Sequence, residues 1–131
     1  MLVGAGATVG NSTELKNCIL FDGVEVPHFN YVGDSILGYK AHLGAGAVTS
    51  NVKSDRTPPV LRFSDGDIPS GSKKCGAFLG DYVEVGCNSV LNPGTVVGRR
   101  SRIYPLSSVR GSVPESCIVK GERGTVRHTE R

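Results

Sequence analysis

The stretch LGDYVE-VGCNSV-LNPGTV-VGRRSR-IYPLSS-VRGSVP, residues 79–114, puts Leu79, Val85, Leu91, Val97, Ile103 and Val109 at the head of six consecutive hexads. In a chain that is 38% hydrophobic, six apolar residues in one fixed frame arise by chance with a probability of roughly 0.003. Gly80, Gly86 and Gly98 follow the lead residue, and Val83, Ser89, Thr95, Ser101, Ser107 and Val113 hold a small or β-branched side chain four places after it. A period of six matches neither the 3.6 of a helix nor the 2 of an alternating strand. It matches a triangular coil, in which each hexad supplies one short strand and one corner and three hexads close a turn. Successive turns then stack at the spacing of paired strands. The lead residue points into the prism, and the glycine relieves the tight corner beside it.

Working outward, VGAGAT-VGNSTE-LKNCIL-FDGVEV carries the same signature with Val3, Val9, Leu15 and Phe21 as leads. The step shortens around VPHFNY, where Val32 and Leu37 are five apart, and LGYKAH-LGAGAV restores it at Leu37 and Leu43. A skipped residue re-aims the side chains at one corner, so this irregularity is the first place to look for function. Between residues 52 and 74 the hexads vanish into a segment with paired prolines and S-D-G-D, which reads as a loop or hairpin leaving one corner, with a turn at Ser64–Asp67. After Pro114 the pattern decays. Residues 116–120 are expected to close the end of the coil, leaving a β-helix domain at 1–119 and a polar, partly disordered tail at 120–131.

The 131 residues suit a single domain, and 18 Gly and 7 Pro with no Trp argue against a helical bundle. A net charge of +3 without a dense basic run excludes a nucleic-acid footprint, while small phosphorylated ligands fit. Cys18, Cys75, Cys87 and Cys117 form no C-x-x-C pair and read as idle thiols in a reducing compartment. With neither a basic leader nor a membrane-length apolar run, the expected setting is soluble and cytoplasmic.

The [LIV]-G-x-x-x-x hexads over residues 2–51 and 79–114 resemble those of the left-handed β-helix, hexapeptide-repeat acyltransferases. The resemblance implies an all-β, single-stranded, left-handed parallel β-helix and a homotrimer. Within it, ELKNCILFDGVEVPHFNYVGDSILGYKAHLGAGAVTSN resembles the acetyltransferase half of bifunctional glucosamine-1-phosphate acetyltransferase/N-acetylglucosamine-1-phosphate uridyltransferases. Short pyrophosphorylase-related proteins with the same P-H-x-x-Y-x-G-D run are closer still. This resemblance implies that His28 is the catalytic base and that Lys16, Tyr31, His42 and Asn51 lie on the substrate side. The backbone at Ala45, with Cys87 and Pro105, would face acetyl-coenzyme A. His42 stands where the family has a sugar-contacting Asn, and Cys87 and Pro105 where it has small residues. The family's phosphate-binding Arg would fall before Met1, and Lys120 and Arg123 only roughly match an Arg of its tail.

The chemistry asked of these residues is simple. Imidazole titrates near neutral pH and suits removal of a proton from a sugar amine. Backbone N–H groups in LGAGAV, unobstructed by side chains, suit a developing oxyanion. Each position also has a purely architectural account: an exposed turn histidine at 28, a solvated corner lysine at 16, a capping aromatic at 31 and a turn Asn at 51. Asp34 is a candidate to orient His28. Two functions therefore stay open, a sugar-phosphate N-acetyltransferase of the UDP-N-acetylglucosamine pathway and a non-catalytic assembly module of a sugar nucleotidyltransferase. A zinc site would need His28, His42 and His128 together.

Overall fold

The computed structural model describes residues 1–121 and the strand backbone at 125–127. Three parallel sheets form the faces of a left-handed β-helix with five complete coils and two faces of a sixth. The first face stacks Leu2–Val3, Ile19–Leu20, Ile36–Leu37, Ala77–Leu79, Thr95–Val97 and Ser112–Val113. The second stacks Thr8–Asn11, Glu25–His28, His42–Leu43, Glu84–Val85, Arg102–Ile103 and Cys117–Val119. The third stacks Glu14–Lys16, Tyr31–Gly33, Val48–Thr49, Val90–Leu91 and Ser108–Val109. In the tail, Thr125–Arg127 adds an antiparallel strand beside Cys117–Val119, so these three residues extend the second face. Arg123 and His128 lie outside the described residues. No helix among the described residues is long and apolar enough to cross a membrane.

From Leu37 onward the lead residues fill the prism as their period requires, while Val3 and Val9 in the first coil are exposed. Leu37, Leu43, Leu91 and Val97 are at most 1% exposed, and burying each such side chain contributes about 1.5–3 kcal/mol. The slot four places later is buried too, and its hydroxyls bond across the coils. Ser89 Oγ donates to the Tyr104 carbonyl at 3.0 Å, Thr95 Oγ1 to that of Val109 at 3.0 Å, and Ser101 Oγ to that of Pro114 at 2.6 Å. A hydroxyl fits this slot because it can satisfy itself without a partner side chain.

Two details of the expected frame change. Phe21 is 50% exposed, and Leu20 takes the interior position instead. The step from Leu15 to Leu20 is five residues, like that from Val32 to Leu37, so the first coils stack Val3, Leu20 and Leu37 at 17-residue spacing. The glycine one place after the lead serves a different purpose from turn-making. A Cβ on Gly80 would lie 2.8 Å from the Arg99 backbone nitrogen, and one on Gly98 2.8 Å from the Pro114 carbonyl carbon, so these glycines admit the next coil. The left-handed turn itself falls two residues later, at Tyr82, Asn88, Arg100 and Leu106 as well as at glycines.

The excursion is a hairpin of Val60–Phe63 and Gly66–Pro69, turning at Ser64–Asp65. It docks on the corner between the third and first faces. Ser112 Oγ donates to the Arg62 carbonyl, and Gly94 leaves room for the Val60 carbonyl.

Candidate functional site

The corner between the second and third faces is a ladder of backbone hydrogen bonds. Phe29 N donates to the Asn11 carbonyl, Gly46 N to that of His28, Asn88 N to that of Ala45, and Leu106 N to that of Cys87, all at 2.9–3.1 Å. His28, Ala45, Cys87 and Pro105, expected as base and donor-side residues, are thereby brought to one corner on successive coils. His28 is exposed. The Ala45 N–H has no hydrogen-bond acceptor among the described residues, although its carbonyl is engaged. An oriented, unspent N–H one coil from an imidazole is the pairing that acyl transfer requires.

Asn30 holds that pairing in place. Its side chain is 2% exposed and occupies the slot usually filled by Ser, Thr or Val. Nδ2 donates to the carbonyls of Gly44 and Ala47, both at 2.9 Å, and Oδ1 accepts from the His28 N–H at 3.1 Å. One buried amide thus clamps the backbone of the imidazole residue to the turn that carries the free N–H. Sequence reasoning missed Asn30, yet a signal was there, since an amide in a slot for small side chains must find several partners. Asn30→Ala should deprive the buried Ala47 carbonyl and the His28 N–H of their partner and lower stability by about 1–3 kcal/mol, read as a shift of the urea midpoint.

On the third face, Tyr31 and Lys16 project outward, Lys16 in register with Gly33. The Tyr31 hydroxyl accepts from Asn51 Nδ2 at 3.0 Å, and the same Nδ2 donates to Asp34 Oδ2 at 2.7 Å. Gly33 is needed here, because a Cβ would collide with the Tyr31 hydroxyl and lie 2.8 Å from Asn51 Nδ2. Asp34 therefore serves the Tyr31–Asn51 pair at the third corner and does not orient His28. His42 does not join this group either. It lies on the second face, in register between Glu25 and Glu84. There it lines a groove of about 290 Å³ with Gly44, Gly86, Cys87 and Pro105, beside the residues expected to face acetyl-coenzyme A and away from Tyr31 and Asn51.

All four cysteines are free. Burial pushes the Cys18 and Cys75 thiols up, and the nearby Asp34 carboxylate adds to the rise at both, so they stay protonated and unreactive at neutral pH. Among the described residues no cluster of three metal-ligating side chains forms.

No family model matches the chain. Over 105 residues, 80% of its length, it is 35% identical to a bifunctional sugar-1-phosphate nucleotidylyltransferase/acetyltransferase of Sulfurisphaera tokodaii. Over 111 residues, 85% of its length, it is 37% identical to a bifunctional protein GlmU of Methanococcus maripaludis. The chain spans about a quarter of these relatives, 26% and 27%. Its fold matches the acetyltransferase domain of PglB from Neisseria gonorrhoeae FA1090, solved in complex with acetyl coenzyme A. That match has a TM-score of 0.70 over 92% of this chain and 48% of that one, at 18% identity.

Proposed function

We propose that this chain, which belongs to the left-handed β-helix, hexapeptide-repeat acyltransferases, is a sugar-phosphate N-acetyltransferase module of the UDP-N-acetylglucosamine pathway that uses acetyl-coenzyme A. The observation that carries the reading is the corner between the second and third faces, where Asn30 ties the backbone of His28, whose side chain is exposed, to the turn that carries the unspent Ala45 N–H. The groove past Gly44, Gly86, Cys87 and Pro105 suits a thin pantetheine arm, since two of its walls lack side chains. Acetyl-coenzyme A bound there supplies the acyl group as a thioester.

In this mechanism His28 accepts the proton that the sugar amine loses as it forms the new C–N bond. The Ala45 N–H takes up the negative charge that gathers on the acyl oxygen before the thiolate leaves. Asn30 keeps both groups in register. Tyr31 and Asn51 hold the sugar, with Asp34 fixing the Asn51 amide, and Lys16 supplies a positive charge for the phosphate.

Two further features belong to the proposal. Phe29 and Leu106 protrude from the same corner at 66% and 77% exposure, and this exposed apolar pair supports a homotrimer in which the corner packs against neighbouring copies with the site at the interface. Four free cysteines support a cytoplasmic setting. The test incubates the protein with acetyl-coenzyme A and glucosamine 1-phosphate and follows thiol release, alongside sedimentation equilibrium. N-acetylated product from a trimer is the expected result. Absence of both transfer to any amino-sugar phosphate and coenzyme A binding would overturn the catalytic reading, and a monomer at micromolar concentration would overturn the trimer.

A further inference from the structure

A flat prism face offers little concavity, and the excursion creates one. Where the hairpin lies against the corner between the third and first faces, two adjoining hollows of about 300 and 250 Å³ share Lys53, Asn92, Pro93 and Arg110 as walls. Val60 and Arg62 of the hairpin close the first, and Ser50 and Ser54 border the second. The walls are held by the docking of Ser112 on the Arg62 carbonyl and by the bonds of Asn92 Nδ2 to Ser108 Oγ at 3.0 Å and to the Val109 carbonyl at 2.9 Å.

The charges in this groove are one-sided. Arg62 spends its guanidinium on Asp67 at 2.8 Å. Arg110 has no carboxylate within ion-pair distance among the described residues, and Lys53 meets only Asp55, at 3.9 Å. Asp55 is itself engaged by the backbone N–H and hydroxyl of Thr57, at 3.0 and 2.7 Å. A cleft that holds an unpaired guanidinium and an ammonium with one long ion pair draws anions. Its two lobes share Lys53 and Arg110 as walls, an arrangement that suits two linked anionic groups, with the guanidinium offering a fork of donors.

We propose that this groove is a binding site for the diphosphate group of a small molecule, held between Lys53 and Arg110. It is separate from the Lys16 and His28 positions and does not depend on the acyl-transfer reading. The probe is inorganic pyrophosphate, titrated calorimetrically into the full chain with inorganic phosphate as comparator. The expected result is millimolar or tighter binding of pyrophosphate, on the order of 10-fold stronger than phosphate. Arg110→Gln, at an exposed position outside the prism interior, and Lys53→Met should each weaken it by roughly 10-fold, and Lys16→Ala should leave it unchanged. Circular dichroism shows whether each variant keeps its β-helix, and Arg110→Gln alone decides the matter if Lys53→Met does not fold. No binding at about 10 mM pyrophosphate, equal affinity for phosphate, or binding lost in Lys16→Ala but kept in Arg110→Gln would each overturn the assignment.

Discussion

Val97→Asp should yield no folded protein. Val97 is 1% exposed and stacks between Leu79 and Val113 on the first face, in the interior of the prism. A carboxylate there finds neither water nor a cation, and the cost of several kcal/mol or more, whether met as a buried charge or as a raised pKa, rivals the roughly 5–15 kcal/mol that keeps a domain folded. Coil stacking offers no escape, because rotating the strand would break pairing to both neighbours. The measurement is far-ultraviolet circular dichroism of purified protein, with the wild type as reference. A variant that retained the β signal and a cooperative melt would show that the interior tolerates a carboxylate and that the hexad leads do not form its core.

His28→Ala should reduce acetyl transfer by roughly 10²–10⁴-fold, the usual contribution of a general base. It should leave coenzyme A affinity and assembly nearly unchanged. The side chain is exposed, and the His28 backbone, not its imidazole, makes the contacts to Asn30 and Gly46. Lys16→Ala should fail differently, raising KM for the sugar phosphate while kcat falls little, since it removes a contact made alike in ground and transition states. Steady-state kinetics on both variants separates these outcomes. Equal loss of kcat in the two, with no effect on KM, would remove the assignment of distinct roles.

How much of this was legible beforehand follows from what a period can and cannot carry. A step of six places every third hexad on the same corner, so counting alone sets Cys87 and Pro105, 18 residues apart, on successive coils, whereas a dropped residue separates His28 from Ala45 and the excursion separates Ala45 from Cys87, and the structure was needed to bring all four to one corner. Counting failed where a coil drops a residue. The shortened step after Leu15 moved the interior position from Phe21 to Leu20. The face on which His42 lies also came only from the structure, which sets it in register with Glu25 and Glu84, away from Tyr31 and Asn51.

The sequence by itself determined the all-β coil, most of the prism interior and the excursion, because these depend on local composition and a repeating register, while the candidate site residues came from the family resemblance. The tertiary structure decided what each polar side chain does. Asn30 turns inward because three backbone groups on adjacent segments converge on its slot, and Asp34 serves Asn51 because the third corner brings them within 2.7 Å across coils. The Lys53–Arg110 groove exists only because the hairpin docks on a face that is distant in sequence, with Ser112 bonded to Arg62. Hydrogen bonds and electrostatic fields act over a few ångströms of space, and a period in sequence fixes position along the coil without fixing which neighbour a side chain meets.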